Sequence, residues 1–180
     1  MIELFFLDAS HFVMGGFPGR VWSLVRKWVK TACGRKRFNV LGALNFASKK
    51  VETIVNATYI TSTEVIAMLE KLTQEYVGKP IKIILDNARY QHCAAVIEAA
   101  ERLGVELVFL PTYSPNLNLI ERVWKLVKSN VLNSAYHESF EVFCQTIENC
   151  VDSLHTKLAS EMKTLITHNF RIVNDSDIIA

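Results

Sequence analysis

The sequence predicts an α/β fold, a mixed five-stranded sheet with helices on both faces and further helices at the C-terminal end. Apolar runs of strand length alternate with helical periods in the order three strands, helix, strand, helix, strand, helix and more helix. Two of the first three runs flank a short turn, which predicts an antiparallel hairpin. The β-α-β-α-β section predicts parallel neighbours with right-handed crossovers. Half of the 180 residues are hydrophobic and 21% are charged, as in a single globular domain.

The five strands are predicted from apolar runs that end in turn residues. The first is "IELFFLD", and the hairpin strands "FNVLGALNF" and "VETIVNATYI" flank the turn "ASKK". "IKIILD" and "VELVFL" have no polar alternation, which is typical of strands covered on both faces. The predicted strands are therefore residues 2–8, 38–46, 51–60, 81–86 and 105–110.

The helices are predicted from apolar stripes and from capping residues. Ser62 or Thr63 is the expected N-cap of the first helix, and Gly104 is the expected C-cap of the second. The third helix places Ile120, Val123, Val127 and Val131 on one face, with Trp124 beside them. The predicted helices are residues 61–76, residues 92–103, one starting at Asn118, and two pieces between 138 and 168.

Cysteine spacing and hydropathy bear on compartment and class. The four cysteines form no C-x-x-C pair and no zinc-like spacing, so we expect a reduced, cytosolic protein. No window of the sequence approaches the roughly 18 apolar residues that a membrane span requires. The net charge of +2 decides little by itself.

Two predicted strands end in the same way, with Leu, then Asp, then small polar residues. These are "FFLDAS" at Asp8 and "IILDNA" at Asp86. Sites of open α/β sheets lie at the edge where such strands emerge. Each aspartate could instead start a turn or cap a helix. If the strands are neighbours, two carboxylates ~4 Å apart repel by ~4 kcal/mol at an effective dielectric of 20, and a divalent cation with oxygen ligands would offset this.

Glu121 lies in the first turn of the third predicted helix, at the edge of its buried face. Two interpretations are open. Asn118 followed three residues later by Glu121 is close to a capping box, which would make the glutamate structural. The preceding "YSPNLN" is a rigid turn that delivers the helix start to one place, which favours a metal ligand. Three carboxylates without paired cysteine or histidine favour Mg²⁺ or Mn²⁺ over zinc.

Four segments together resemble the catalytic domain of DDE transposases, in the bacterial insertion-sequence branch of the mariner superfamily. They are "FFLDASHF", "NVLGALN", "ILDNARYQHC" and "FLPTYSPNLNLIERVWKLVK". The resemblance runs from residue 4 to about 135. The 34 residues between Asp86 and Glu121 match the spacing of that superfamily.

The resemblance implies a ribonuclease-H-like DDE catalytic domain over residues 1–135, with residues 136–180 as its C-terminal helical extension. It implies metal-dependent DNA cleavage and strand transfer at element ends by a bacterial, nucleoid-associated protein. The partners implied are DNA and a second copy on paired DNA ends, without a membrane or a small-molecule substrate. Asp8, Asp86 and Glu121 carry over as catalytic residues and as ligands of two Mg²⁺ or Mn²⁺ ions, with Asn87 and His92 in supporting roles.

The sequence departs from the family pattern in two places. Leu119 stands where the family usually has proline, which loses a preset φ but no ligand. The family also carries an N-terminal helix-turn-helix region, for which there is no room before Asp8. An alternative function is therefore a catalytically inactive or truncated remnant that binds DNA or an intact transposase.

A basic segment, residues 20–37, contains seven Lys or Arg and no acidic residue, with Trp22 and Trp28 interleaved. It could contact phosphates and stack on bases. It could equally be a solvated face whose tryptophans fill the core. Lys125 and Lys128 follow Glu121 by one and two helical turns. The candidate DNA-contacting residues are Arg35, Lys36, Arg37, Lys125 and Lys128.

Overall fold

The computed structural model describes residues 2–15, 24–25, 28, 36–111, 117–133, 135–167 and 169. Five strands form one sheet: β1 (Glu3–Val13), β2 (Arg37–Asn45), β3 (Val51–Asn56), β4 (Ile81–Leu85) and β5 (Val105–Phe109). The helices are α1 (Ser62–Glu75), α2 (Ala94–Leu103), α3 (Ile120–Val131), α4 (Phe140–Asp152) and α5 (Ala159–Leu165), with a 3-10 turn at Ser153–His155.

The sheet is mixed, as predicted, and its strand order is β3-β2-β1-β4-β5. The first three strands pair antiparallel, whereas β1, β4 and β5 run parallel. The parallel ladder between β1 and β4 ends with Leu7 opposite Leu85. The antiparallel ladder between β1 and β2 continues to Val13 opposite Arg37. The central strand β1 therefore pairs with β2 over more residues than it pairs with β4.

Helices cover both faces of the sheet because successive side chains of β1 point to opposite sides. Phe5 and Leu7 belong to a core shared with α1 and α2. Phe6 and Phe12 belong to a second core shared with α3, α4 and α5. All four side chains are buried. This confirms the predicted arrangement of helices on both faces.

Several predicted boundaries were wrong, each for a local reason. The strand predicted to end at Asp8 continues to Val13, because β2 keeps pairing with it beyond the end of β4. The N-cap of α1 is Thr61 rather than Ser62 or Thr63, since its side chain and Glu64 form a reciprocal capping box. The predicted Gly104 cap of α2 is confirmed, with φ at 67°.

The C-terminal helices extend the core around α3. Phe143, Ile147 and Met162 are buried in the same cluster as the apolar face of α3. The Arg122 guanidinium donates to the carbonyl oxygens of Leu165 at 2.9 Å and Asn169 at 2.8 Å. These bonds tie the first turn of α3 to the last residue of α5 and to the chain that follows it.

Within the part of the chain that the structure describes, no helix combines the length and apolarity that a bilayer crossing demands.

Gly42 lets α3 approach the sheet closely. This glycine lies on β2, directly opposite Asp8. A Cβ there would lie 2.6 Å from Cη2 and Cζ2 of Trp124 and 2.9 Å from Cδ1 of Ile120. The indole ring is rigid and only 3% exposed, so it can relieve the clash only by shifting as a whole. The missing side chain of Gly42 thus lets α3 lie close to β2, the strand that pairs with β1 at Asp8.

We expect Gly42→Ala to lower the free energy of unfolding by about 1–3 kcal/mol, because it overpacks this contact. Urea unfolding followed by circular dichroism would measure the loss. In a double-mutant cycle with Trp124→Leu, the combined loss should fall short of the sum by at least ~1 kcal/mol, because the smaller side chain removes the clash. Strictly additive losses would contradict the direct contact.

Candidate active site

Asp8 and Asp86 emerge side by side from neighbouring parallel strands. Each directly follows the last paired residue of the β1–β4 ladder, Leu7 or Leu85. Asp86 has left its strand, whereas Asp8 remains within β1, opposite Gly42. Both side chains are partly buried. The two strands therefore bring the two carboxylates to one edge of the sheet.

Glu121 reaches the same edge from the first turn of α3. The capping-box interpretation of Asn118 and Glu121 is wrong, because the N-cap is Leu119 and no side chain caps the helix. Leu119 has φ at −64°, close to the value that a proline would impose. Replacement of the family's usual proline therefore leaves the backbone direction of the helix start unchanged.

The three carboxylates interact electrostatically with one another. Burial raises the pKa of Asp8 to about 7, helped by the charges of Asp86 and Glu121, although the Ala9 N–H and Lys128 oppose the rise. Burial also raises the pKa of Glu121, and the charge of Asp86 adds to the rise. The ammonium groups of Lys125 and Lys128 oppose it. Negative charge is thus concentrated at this edge beyond what the neighbouring lysines neutralise.

The donor set fits a hard divalent cation. Carboxylate oxygens are the ligands that Mg²⁺ and Mn²⁺ take in proteins. Burial, followed by the charge of Asp86, raises the pKa of Asp8, and a bound cation would favour the ionised carboxylate. Among the described residues, no three acidic, histidine or cysteine side chains gather closely enough to form a ready-made metal site. The carboxylates are adjacent, and binding would require their side chains to turn toward a shared point.

An open cleft of about 290 Å³ lies beside the carboxylates, between β1 and α3. Within the described part of the chain, Ser10 Oγ and Trp124 Nε1 are buried without a hydrogen-bond partner. Lys128 also lies over the Phe12 ring, with its Nζ 5.7 Å from the ring centroid. The cleft is thus acidic at one end and basic along α3. Its lining consists of Asp8, Ala9, Ser10, His11, Glu121, Trp124, Lys125 and Lys128.

The two predicted supporting residues contact each other. Asn87 and His92 are both exposed, and Asn87 Oδ1 lies 2.7 Å from His92 Nδ1. The His92 ring packs on Phe109 at the end of β5, with centroids 4.3 Å apart. This pair braces the loop that follows Asp86.

Only part of the basic segment falls within the described residues. Arg35 and Trp22 lie outside them. Lys36 and Arg37 are exposed, and the Lys36 ammonium lies 5.4 Å from the centroid of the Phe140 ring. Trp28 is 87% exposed, so it does not fill the core.

Sequence reasoning missed other residues at the site. Tyr90 is one of them. Burial raises its pKa to about 12, and the charges of Asp8 and Asp86 contribute to the rise, so Tyr90 lies near these carboxylates. Asn118, considered only as a cap, donates from Nδ2 to the Leu7 carbonyl oxygen at 3.1 Å and to Asp86 Oδ1 at 3.2 Å. Nothing in their sequence spacing predicts these contacts, which cross between distant segments.

The raised pKa of Asp8 makes stability depend on pH in the absence of metal. Between about pH 4 and pH 7 the folded protein keeps a proton on Asp8 that the unfolded chain has lost. Stability therefore falls as the pH rises across this interval. In buffer with a chelator, we expect Asp8→Asn to stabilise the protein at pH 8 by about 1–3 kcal/mol and hardly at pH 4, measured by urea unfolding.

Asp152→Asn on α4 is the matched control, because Asp152 is an exposed aspartate away from the cleft. It should leave the pH dependence unchanged. An Asp8→Asn variant that is less stable than the unaltered protein at pH 8 would contradict the electrostatic account.

Comparisons with solved structures show the fold. The Mos1 mariner paired end complex with Mn has a TM-score of 0.63 and 15% identity, covering 88% of this chain and 55% of that chain. The catalytic core domain of BIV integrase has a TM-score of 0.55 and 18% identity, covering 90% and 97%. The HTLV-2 integrase catalytic core domain in complex with magnesium has a TM-score of 0.54 and 14% identity, and the match covers 86% of this chain and 86% of that chain.

These likenesses identify the sheet and its helices as the ribonuclease-H-like fold of transposase and integrase cores. The chain spans about half the length of the Mos1 transposase chains that it matches. No curated protein matches the sequence. The family model described as "DDE superfamily endonuclease" matches residues 3–144. Because that match covers most of the chain, the protein belongs to the DDE superfamily endonucleases.

Proposed function

We propose that this protein is the catalytic domain of a transposase that cleaves DNA at element ends and joins the ends to new sites. The observation that carries the proposal is the convergence of Asp8, Asp86 and Glu121 from three separate segments. Asp8 and Asp86 follow paired residues of neighbouring strands, and Asp8 and Glu121 line one cleft. Membership of an endonuclease family supports it. So do the structural relatives, which include a Mos1 transposase paired-end complex with a left transposon end.

We further propose that these three side chains hold two Mg²⁺ or Mn²⁺ ions. Such ions, when bound, would activate water or a DNA 3′-hydroxyl and stabilise the leaving oxygen. Asp8 would be one of the residues that hold the ions, since it lines the cleft with Glu121 and follows the β1 residue that pairs beside the strand of Asp86. With a pKa of about 7, Asp8 must lose its proton to serve as a ligand near neutral pH. The relatives solved as complexes with Mn or magnesium support a divalent cation.

The basic side of the cleft would orient the DNA backbone. Lys125 is exposed and Lys128 partly buried, and both lie on the helix that carries Glu121. Their ammonium groups can neutralise phosphates beside the cleavage position. Arg37 is the first residue of β2 and Lys36 directly precedes it, at the same end of the sheet as the carboxylates. We propose that Arg35, Lys36 and Arg37 extend the contact with the DNA backbone.

We also propose that residues 1–135 form the catalytic domain and residues 136–180 extend it. The shared core of α3, α4 and α5 supports this division, since these helices bury their apolar faces together. A second copy on paired DNA ends is part of the proposal. Support comes from relatives described as a paired-end complex and as a dimeric integrase core.

Asp86→Asn should abolish Mg²⁺- or Mn²⁺-dependent nicking of supercoiled DNA while leaving the circular dichroism spectrum unchanged, because the amide removes a negatively charged metal ligand. Glu98→Gln is the control, since Glu98 is an exposed acid on α2. Unchanged nicking by the Asp86 variant would remove this residue from the mechanism. DNA binding by the unaltered protein without any nicking would favour the alternative function, an inactive remnant.

The double substitution Lys125→Gln and Lys128→Gln should weaken DNA binding and reduce the slope of log K against log salt by about 1–2, because each phosphate contact releases counterions. Fluorescence anisotropy with labelled duplex at several salt concentrations would measure the slope. Lys157→Gln with Lys163→Gln matches the charge change on exposed residues beyond α4. Equal slopes for the two double variants would contradict a specific role for the α3 lysines.

A further inference from the structure

We infer that Asn118 is a positioning residue that orients Asp86, and the strand end that carries Asp8, for divalent cation binding. The inference rests on the proposed function and adds a residue to it. Asn118 is 1% exposed and lies two residues before α3. Its contacts reach all three segments that carry the candidate carboxylates.

Three bonds join Asn118 to these segments. Its Nδ2 donates to the carbonyl oxygen of Leu7, the residue before Asp8, at 3.1 Å. The same nitrogen donates to Oδ1 of Asp86 at 3.2 Å. Its backbone carbonyl oxygen accepts from the N–H of Glu121 at 3.2 Å. A single buried residue therefore links the ends of β1 and β4 to the first turn of α3.

The direction of the Asn118 amide is determined by its partners. The Leu7 carbonyl and the Asp86 carboxylate are both acceptors, so both need the NH₂ end of the amide. A flipped amide would place Oδ1 against two oxygens. One oxygen of Asp86 is thus held by a neutral donor, which leaves its other oxygen for a cation. A neutral donor also adds no positive charge that would compete with the metal.

A purely structural role explains these contacts less well. Asn118 Oδ1 is buried without a partner among the described residues. A leucine here would carry no unmet acceptor of its own, but it would leave the Leu7 carbonyl and Asp86 Oδ1 without this donor. The amide keeps one unmet oxygen, and its NH₂ end serves these two acceptors. The bond to the Leu7 carbonyl holds the end of β1, and the bond to Asp86 is the one expected of a group that orients a metal ligand.

The test compares Mn²⁺ binding with folding stability in two buried asparagines. Asn45 is the matched control because it is also fully buried and donates to a carboxylate, Glu3 Oε2, at 2.7 Å. It lies at the opposite end of the β1–β2 ladder, opposite Phe5. Isothermal titration with Mn²⁺ gives the Kd for the unaltered protein, Asn118→Ala and Asn45→Ala, and urea unfolding gives the stability of each.

We expect Asn118→Ala to raise the Kd for Mn²⁺ by about 10–100-fold in the folded protein, as loss of a group that orients a metal ligand does. Asn45→Ala should lower stability and leave the Kd within about twofold. An Asn118→Ala Kd within about twofold of the unaltered value, with binding otherwise intact, would overturn the inference.

If Asn118→Ala does not fold, Asn118→Leu keeps the number and branching of the side-chain heavy atoms, removes the donor and carries the same expectation. Failure of both variants to fold would also overturn the inference, because the role would then be structural. Absence of Mn²⁺ binding by the unaltered protein would instead remove the proposed metal site, and the inference with it.

Discussion

The parallel pairing of β1 with β4 is the constraint on which the rest of the site depends. Once Leu7 lies opposite Leu85, Asp8 and Asp86 must follow at adjacent positions. Two carboxylates on neighbouring strands at adjacent positions repel each other, and partial burial strengthens the repulsion because it removes screening water. Burial first, and then the charge of Asp86, raises the pKa of Asp8. The buried apolar side chains of both strands maintain a register that the aspartates alone would oppose.

The third helix is both part of the core and the source of the third carboxylate. Its apolar face is buried against the sheet, with Trp124 over Gly42 and Ile120 beside it. This packing determines where the first turn lies, and so where Glu121 lies. The bonds of Arg122 to the last residue of α5 and to the chain after it hold the same turn from the other side. The stability of the fold and the position of Glu121 therefore depend on the same contacts.

The arrangement combines charges of both signs along one helix. Lys125 and Lys128 lower the pKa of Glu121, while Asp86 and burial raise it. The two lysines therefore lie close enough to lower the pKa of Glu121, but the net shift of that pKa remains upward. A cleft with carboxylates at one end and ammonium groups along its side suits a ligand that combines divalent cations with a phosphate backbone. Ser10 Oγ and Trp124 Nε1, which line the same cleft, have no hydrogen-bond partner among the described residues.

Local patterns in the sequence predicted the element order and the mixed sheet, whereas the adjacency of Asp8 and Asp86 was a supposition that the pairing of β1 with β4 decided. The element order and the mixed sheet follow from apolar periodicity, from turn residues and from the crossover rule for parallel strands. The family resemblance added the choice of Glu121. Local patterns did not determine the length of β1, which depends on how far a partner distant in sequence keeps pairing.

Only the tertiary structure decided the role of Asn118. By its spacing it resembled a helix cap, yet its side chain bonds to Leu7, 111 residues away, and to Asp86, 32 residues away. The physical reason is that helix capping is a local interaction, encoded within a few residues. A buried amide instead takes whatever acceptors the packed strands bring to it, and the sequence around it does not specify them.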